Sequence, residues 1–167
     1  MTEQPVYQRL GFSDPEWGLL VGLPQAVLTA ASVAESDGAR RTMAEGAAGH
    51  EAISAGRESA SPLVNAVAAE LMTRLGDPET GEELPVISPR DPATTIADTL
   101  SRAGEAAVLL ATRTDEGEAG AYKHWLMSIA EQVVTAAPSG GMLGLGGEQV
   151  SESERRFRDR LSTVLND

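Results

Sequence analysis

The sequence contains no cysteine, two residues each of tryptophan, tyrosine and phenylalanine, and two histidines. The absence of cysteine excludes disulfides, thiolate zinc sites and cysteine nucleophiles. Because aromatic residues make up only 4% of the chain and hydrophobic residues 41%, a core must be built from alanine, leucine, valine, isoleucine and methionine. Such a core favours closely packed helices over a β-sandwich, in which aromatic and β-branched residues are enriched.

Basic residues and long apolar runs are also scarce. The 167 residues include 13 Lys and Arg against 25 Asp and Glu, which gives a net charge of −12 at pH 7. A chain this acidic repels phosphate backbones, so we expect no nucleic-acid binding. The charge fits a soluble protein, a basic partner or a cation ligand. No run approaches the ~18 consecutive apolar residues of a membrane span, and the first residues lack the basic start and apolar run of a signal peptide. We therefore expect a cytoplasmic protein without a membrane span.

A clear helix-start signal lies near the N-terminus, where Ser13 and Glu16 match the S-x-x-E capping box. It predicts that residues 1–12 form an N-terminal tail and that residues 13–167 form a single helical domain. Pro24 lies inside the apolar stripe that follows. Because proline removes a helical hydrogen bond and clashes with the preceding turn, we expect a kink or a restart of the helix near Leu23.

The sequence of the middle of the chain predicts two more helices, followed by a proline-rich connection. One helix is expected from about residue 40 to residue 57, and another begins at Ser61-Pro62, with proline at its first position. Residues 76–92 contain four prolines, which predicts a surface connection within the domain.

Apolar residues recur every three or four positions in the second half of the chain. This spacing predicts one helix from Asp91-Pro92, another from near Thr114, and a last helix opened by a second capping box at Ser151 and Glu154. Residues 26–38 also resemble residues 132–141, as a duplicated helical hairpin would. We therefore predict an all-α fold, an antiparallel bundle of five to six helices. Two interpretations of the internal resemblance stay open: two related helical hairpins, or a chance similarity between alanine-rich helices.

A glycine-rich loop precedes the last helix and is the first candidate site. Its central residues are Met142, Leu143, Gly144, Leu145, Gly146 and Gly147. No lysine follows as in a P-loop, and no strand precedes it as in a dinucleotide-binding motif. Three interpretations stay open: a structural loop tucked into the bundle, an apolar loop that contacts a partner, and an anion site.

Two acidic residues form the second candidate site. Glu35 and Asp37 follow the first long helix, where the helix dipole disfavours negative charge. A divalent cation bound by these oxygens would explain them, and so would the nearby Arg40 and Arg41. Neither histidine belongs to an H-E-x-x-H or E-x-x-H motif, and G-x-S-x-G is absent, so the sequence predicts no catalytic residue.

The last hairpin carries a resemblance to known proteins. It opens with Y-K-x-W-L at Tyr122, continues with G-x-L-G-x-G-G and ends with V-S-E-S-E. This pattern resembles small all-helical bacterial proteins, and more broadly it is similar to the tellurite-resistance TerB-like helical domains. The resemblance implies divalent cations held by acidic residues at an aspartate-glycine loop. Asp37-Gly38 matches that feature, whereas the second half of the chain has Ser139-Gly140 there.

The sequence thus favours a non-enzymatic interaction or stress-associated module. It would act through the loop at residues 142–147, on a protein partner or in a homodimer. The alternative is a divalent-cation or small-ligand binding protein that uses Glu35 and Asp37. An enzyme with an unrecognised site is the third hypothesis.

Overall fold

The computed structural model describes residues 4–34, 39–76, 91–136 and 152–167, with the backbone alone for residues 39–43 and 76. The regular elements of these ranges are all helices, and the ranges contain no strand. The helices are α1 (Val6–Arg9), α2 (Asp14–Val33), α3 (Ala39–Ala55), a 3₁₀ turn (Gly56–Glu58), α4 (Pro62–Gly76), α5 (Pro92–Arg113), α6 (Glu116–Thr135) and α7 (Glu152–Asn166). The prediction of an all-α fold is confirmed.

The start of α2 follows the sequence signal. The Ser13 backbone amide donates to Glu16 Oε2 over 2.8 Å, and the Ser13 hydroxyl accepts from the Glu16 amide. The helix then continues without a break through Pro24 to Val33, so of the kink or restart predicted near Leu23 the restart is wrong. The reason is a tertiary hydrogen bond to the carbonyl that Pro24 leaves free, described below.

The segment before α2, expected as a tail, packs onto the domain. Tyr7 of α1 stacks on Trp17 with ring centroids 5.8 Å apart, and Phe12 is buried beside the same indole. Gly11 has a φ of 89°, a left-handed conformation that suits glycine and turns the chain between α1 and Phe12. Aromatic contacts therefore hold α1 against α2.

Helices α2 and α6 lie at the centre of the bundle. Each contacts the other, and each also contacts α3, α4, α5 and α7. Their inward faces are lined by leucine, valine, isoleucine and alanine, as the composition predicts. Small residues let helices approach closely: a side chain at Gly49 would collide with Leu28 of α2 and touch Val133 of α6.

The second half of the chain also begins its helices at predicted residues. Asp91 caps α5 by accepting from the Thr94 amide, and Asp115 caps α6 by accepting from the Glu118 amide. In α7, Phe157 and Leu161 are buried. Ser151 of the second capping box lies outside the described residues, as does most of the connection at residues 76–92.

Candidate functional site

The candidate residues from the sequence lie outside the described part of the chain. They are Glu35, Asp37, Met142, Leu143, Gly144, Leu145, Gly146 and Gly147. Within the described ranges, no three residues among histidine, aspartate and glutamate are grouped so as to hold a metal ion. No helix in those ranges has the length and apolar character needed to cross a membrane.

An open groove lies between α1, α2 and α4. We call it the α1–α4 groove, and its volume is about 410 Å³. Its lining residues are Pro5, Val6, Tyr7, Trp17, Asn65, Ala66, Ala69, Glu70 and Thr73. Most of these residues present apolar or aromatic surface, so the groove suits an apolar group more than a polar small molecule.

The groove exists because large residues on one wall face small residues on the other. Tyr7 and Trp17 stack in the α1–α2 wall, and the Tyr7 hydroxyl donates to the Asp14 carboxylate, which fixes the ring. The α4 wall includes Ala66 and Ala69, whose methyl groups leave open space, beside Asn65, Glu70 and Thr73. Val6 is 45% exposed at the rim, one of two large aliphatic residues exposed in the described chain.

Two carboxylates act on Tyr7 in the α1–α4 groove. The hydrogen bond to Asp14 raises the pKa of Tyr7, and burial together with the charges of Asp14 and Glu70 raises it further. Glu70 is the charged side chain among the described lining residues. Its partner Arg74 lies 2.9 Å away, and because both side chains are about half exposed the pair is weak.

Two polar side chains of α6 make structural hydrogen bonds in the interior, whereas the buried Gln25 Oε1 of α2 has no hydrogen-bond partner among the described residues. The Tyr122 hydroxyl, fully buried, donates to the Leu20 carbonyl over 2.6 Å, and burial raises the pKa of Tyr122 well above its ordinary value. Trp125 Nε1 donates to the Ala52 carbonyl over 3.1 Å. These two side chains of α6 therefore join it to α2 and to the end of α3.

Two buried or half-buried carboxylates have similar structural roles. Glu118 Oε2 accepts from the Ser61 hydroxyl over 2.7 Å and from the Leu63 amide over 3.0 Å, so this α6 side chain caps the start of α4. Glu45 is 1% exposed and accepts from the Ser32 hydroxyl over 2.8 Å, which links α3 to α2.

Two arginines of α7 interact with acids of the same helix. Arg156 lies 3.0 Å from Glu152, and Arg158 lies 3.5 Å from Asp159. A concave surface of about 580 Å³ runs along this helix, and its described lining residues all belong to α7. Alternating charges on one exposed helix fit a solvated surface, as the sequence predicts.

Sequence reasoning missed the α1–α4 groove and the role of Tyr122. The signal for the groove was present, because Phe12 and Trp17 flank the capping box as a hydrophobic staple does and so bring the preceding segment onto α2. The signal for Tyr122 was Pro24, which predicts that the Leu20 carbonyl needs a donor from another element.

Compared with protein-family models, with curated proteins and with solved structures, the chain gives no match.

Proposed function

We propose that this chain is a non-enzymatic helical interaction module that binds a protein partner through the α1–α4 groove. The observation that carries the proposal is the groove itself, an open apolar surface with half-buried Tyr7 on one wall, stacked on Trp17, which is 4% exposed. Aromatic side chains are enriched at the centres of protein interfaces, where they supply large contact areas at little cost in conformational entropy.

The rest of the described structure supports such a role. Tyr122, Trp125 and Glu118 hold α6 against α2, α3 and α4 through buried or half-buried hydrogen bonds. A binding surface placed on helices that are fixed in this way loses little entropy when it binds. The loop at residues 142–147 stays in this proposal as a second contact, to a partner or to another copy of the chain.

Affinity capture from the source cells with matched variants tests the proposal. Ala69 and Ala97 are both exposed alanines in helix interiors, one in the groove and one on α5. We expect wild type and Ala97→Arg to retain the same partner, and Ala69→Arg to lose it. Leu143→Glu and Leu145→Glu test the loop in the same way. Recovery of identical proteins by wild type and by all of these variants would exclude both surfaces and overturn the proposal.

The second candidate function is divalent-cation binding by Glu35 and Asp37. It is favoured by the resemblance of Asp37-Gly38 to TerB-like loops and by the position of both acids between α2 and α3. Calorimetric titration with Ca²⁺, Mg²⁺, Mn²⁺ and Zn²⁺ separates the two candidates. Tight binding that Asp37→Asn abolishes would favour the cation-binding function over the interaction module.

A further inference from the structure

We infer that the α1–α4 groove accepts a short protein segment in which a large apolar side chain lies next to a lysine or arginine. This inference rests on the proposed function and names the chemistry of the partner. It combines the shape of the groove, its apolar walls and the position of its carboxylates.

The length of the groove fits a few residues of extended chain. Its α4 wall runs from Asn65 to Thr73, which at a rise of ~1.5 Å per residue is about 12 Å. An extended segment rises ~3.3 Å per residue, so about four residues span that wall. The volume of about 410 Å³ lies in the range of formed binding sites and admits a large side chain.

The apolar walls account for the apolar half of the partner. Val6 is 45% exposed and Ala69 lies open on α4, so both lose contact with water when a side chain enters the groove. Tyr7 is half-buried and presents its ring to the same space. An aliphatic or aromatic side chain would bury this apolar surface favourably, whereas a polar side chain would lose its contacts with water.

The carboxylates account for the basic half. Glu70 lines the α4 wall, where Arg74 contacts it at 2.9 Å, so a cation in the groove meets one lining carboxylate. Asp14 adds a second negative charge behind the Tyr7 hydroxyl, from which it accepts a hydrogen bond. The net charge of −12 strengthens the attraction of a basic partner at long range. A Lys or Arg side chain beside the apolar anchor also lies within reach of the Tyr7 ring, where cations bind favourably.

Indole signals provide a direct test. The chain has two tryptophans, Trp17 in the groove wall and Trp125 bonded to the Ala52 carbonyl in the interior, so indole ¹⁵N labelling gives two reporters. The probe is an acetylated hexapeptide that alternates leucine and lysine, and its control replaces each lysine with glutamate. We expect the lysine peptide to shift the Trp17 signal saturably and leave the Trp125 signal in place. We expect the glutamate peptide to bind roughly tenfold more weakly or not at all.

Matched variants place the binding in the groove. Ala69→Arg should remove binding of the lysine peptide, and Ala97→Arg should retain it. If Ala69→Arg fails to fold, which circular dichroism detects, Thr73→Arg on the same wall replaces it. The inference is overturned by an unmoved Trp17 signal, by equal shifts of both indoles, by equal affinity for the two peptides, or by a dimer in sedimentation that Ala69→Arg dissociates.

The outcomes also separate this inference from the proposed function. If Ala69→Arg loses the captured partner but the lysine peptide does not bind the wild type, the groove is an interface and the stated chemistry of its partner is wrong. If the peptide binds while capture is unaffected by Ala69→Arg, the chemistry of the groove is right and the proposed function is wrong.

Discussion

The hydroxyl of Tyr122 donates a hydrogen bond to the carbonyl of Leu20 over 2.6 Å, deep between α6 and α2. In a regular helix that carbonyl would accept from the amide four residues later. That residue is Pro24, which has no amide proton. The tyrosine therefore replaces the missing helical donor, and this explains why α2 runs unbroken through a proline.

Removal of the Tyr122 hydroxyl should destabilise the fold, and less so when residue 24 has a backbone amide proton. We expect Tyr122→Phe to lower the free energy of unfolding by about 1–3 kcal/mol, because a buried carbonyl loses its partner. In a Pro24→Ala background, the backbone amide restored by the substitution can donate to the Leu20 carbonyl, so the same change should cost less. Urea unfolding of the four proteins measures the coupling. Equal costs in the two backgrounds would show that the hydroxyl does not compensate for Pro24.

Two glycines should respond in opposite ways to alanine. A Cβ at Gly56 would lie 2.7 Å from the Trp125 ring, which its bond to Ala52 holds in place, so Gly56→Ala should destabilise the fold by about 1–3 kcal/mol. Gly120 lies on the exposed surface of α6 with open space around it, and Gly120→Ala should stabilise the fold by about 0.5–1 kcal/mol. Thermal unfolding measures both changes. A stable Gly56→Ala protein with an unchanged Trp125 signal would contradict the packing described here.

Two substitutions in the first turn of α6 should distinguish the cap on α4 from the effect of negative charge on the α6 dipole. Glu118→Ala removes the acceptor for the Ser61 hydroxyl and the Leu63 amide, and should cost about 1.5–3 kcal/mol, the scale of hydrogen bonds to charged groups. Glu116 lies in the same turn and is exposed, so Glu116→Ala is the matched control and should cost far less. Denaturant unfolding tests the pair. Similar losses would assign the effect to the helix dipole of α6 rather than to α4.

The capping box of α2 should make stability depend on pH. The hydrogen bond from the Ser13 backbone lowers the pKa of Glu16 below its ordinary value of 4.5, and the Ser13 hydroxyl and Arg113 lower it further. The unfolded chain therefore binds the proton first as pH falls, so this stabilisation is present above pH 4.5 and is lost as pH falls through the folded pKa. Glu16→Gln keeps an acceptor for the Ser13 amide without the titration. Its unfolding free energy should fall less than that of wild type between about pH 6 and about pH 3, and parallel curves would contradict this.

Much of the helical framework could be predicted from local signals. Ser13, Asp91 and Asp115 cap helices where the sequence places helix starts, because capping depends on residues within one turn. Leu100, Ala103 and Leu110 are buried as their spacing predicts. The continuity of α2 could not be predicted in this way, because its donor lies on another helix, 102 residues away.

The α1–α4 groove, like the continuity of α2, could not be predicted from local sequence signals. Its walls combine Tyr7 before the first capping box with Ala69 on α4, and no sequence spacing links such distant positions. The glycine-rich loop is a candidate site in the sequence because its composition is unusual over a few consecutive residues. A surface assembled from three helices has no such local signature.

The bonds from Tyr122 and Trp125 have a consequence for synthesis of the chain. Their acceptors, Leu20 and Ala52, are translated 102 and 73 residues earlier. Since a nascent chain leaves the ribosome from its N-terminus, α2 and α3 emerge long before these donors exist. The first half of the protein therefore reaches its final packing only once α6 has been released from the exit tunnel.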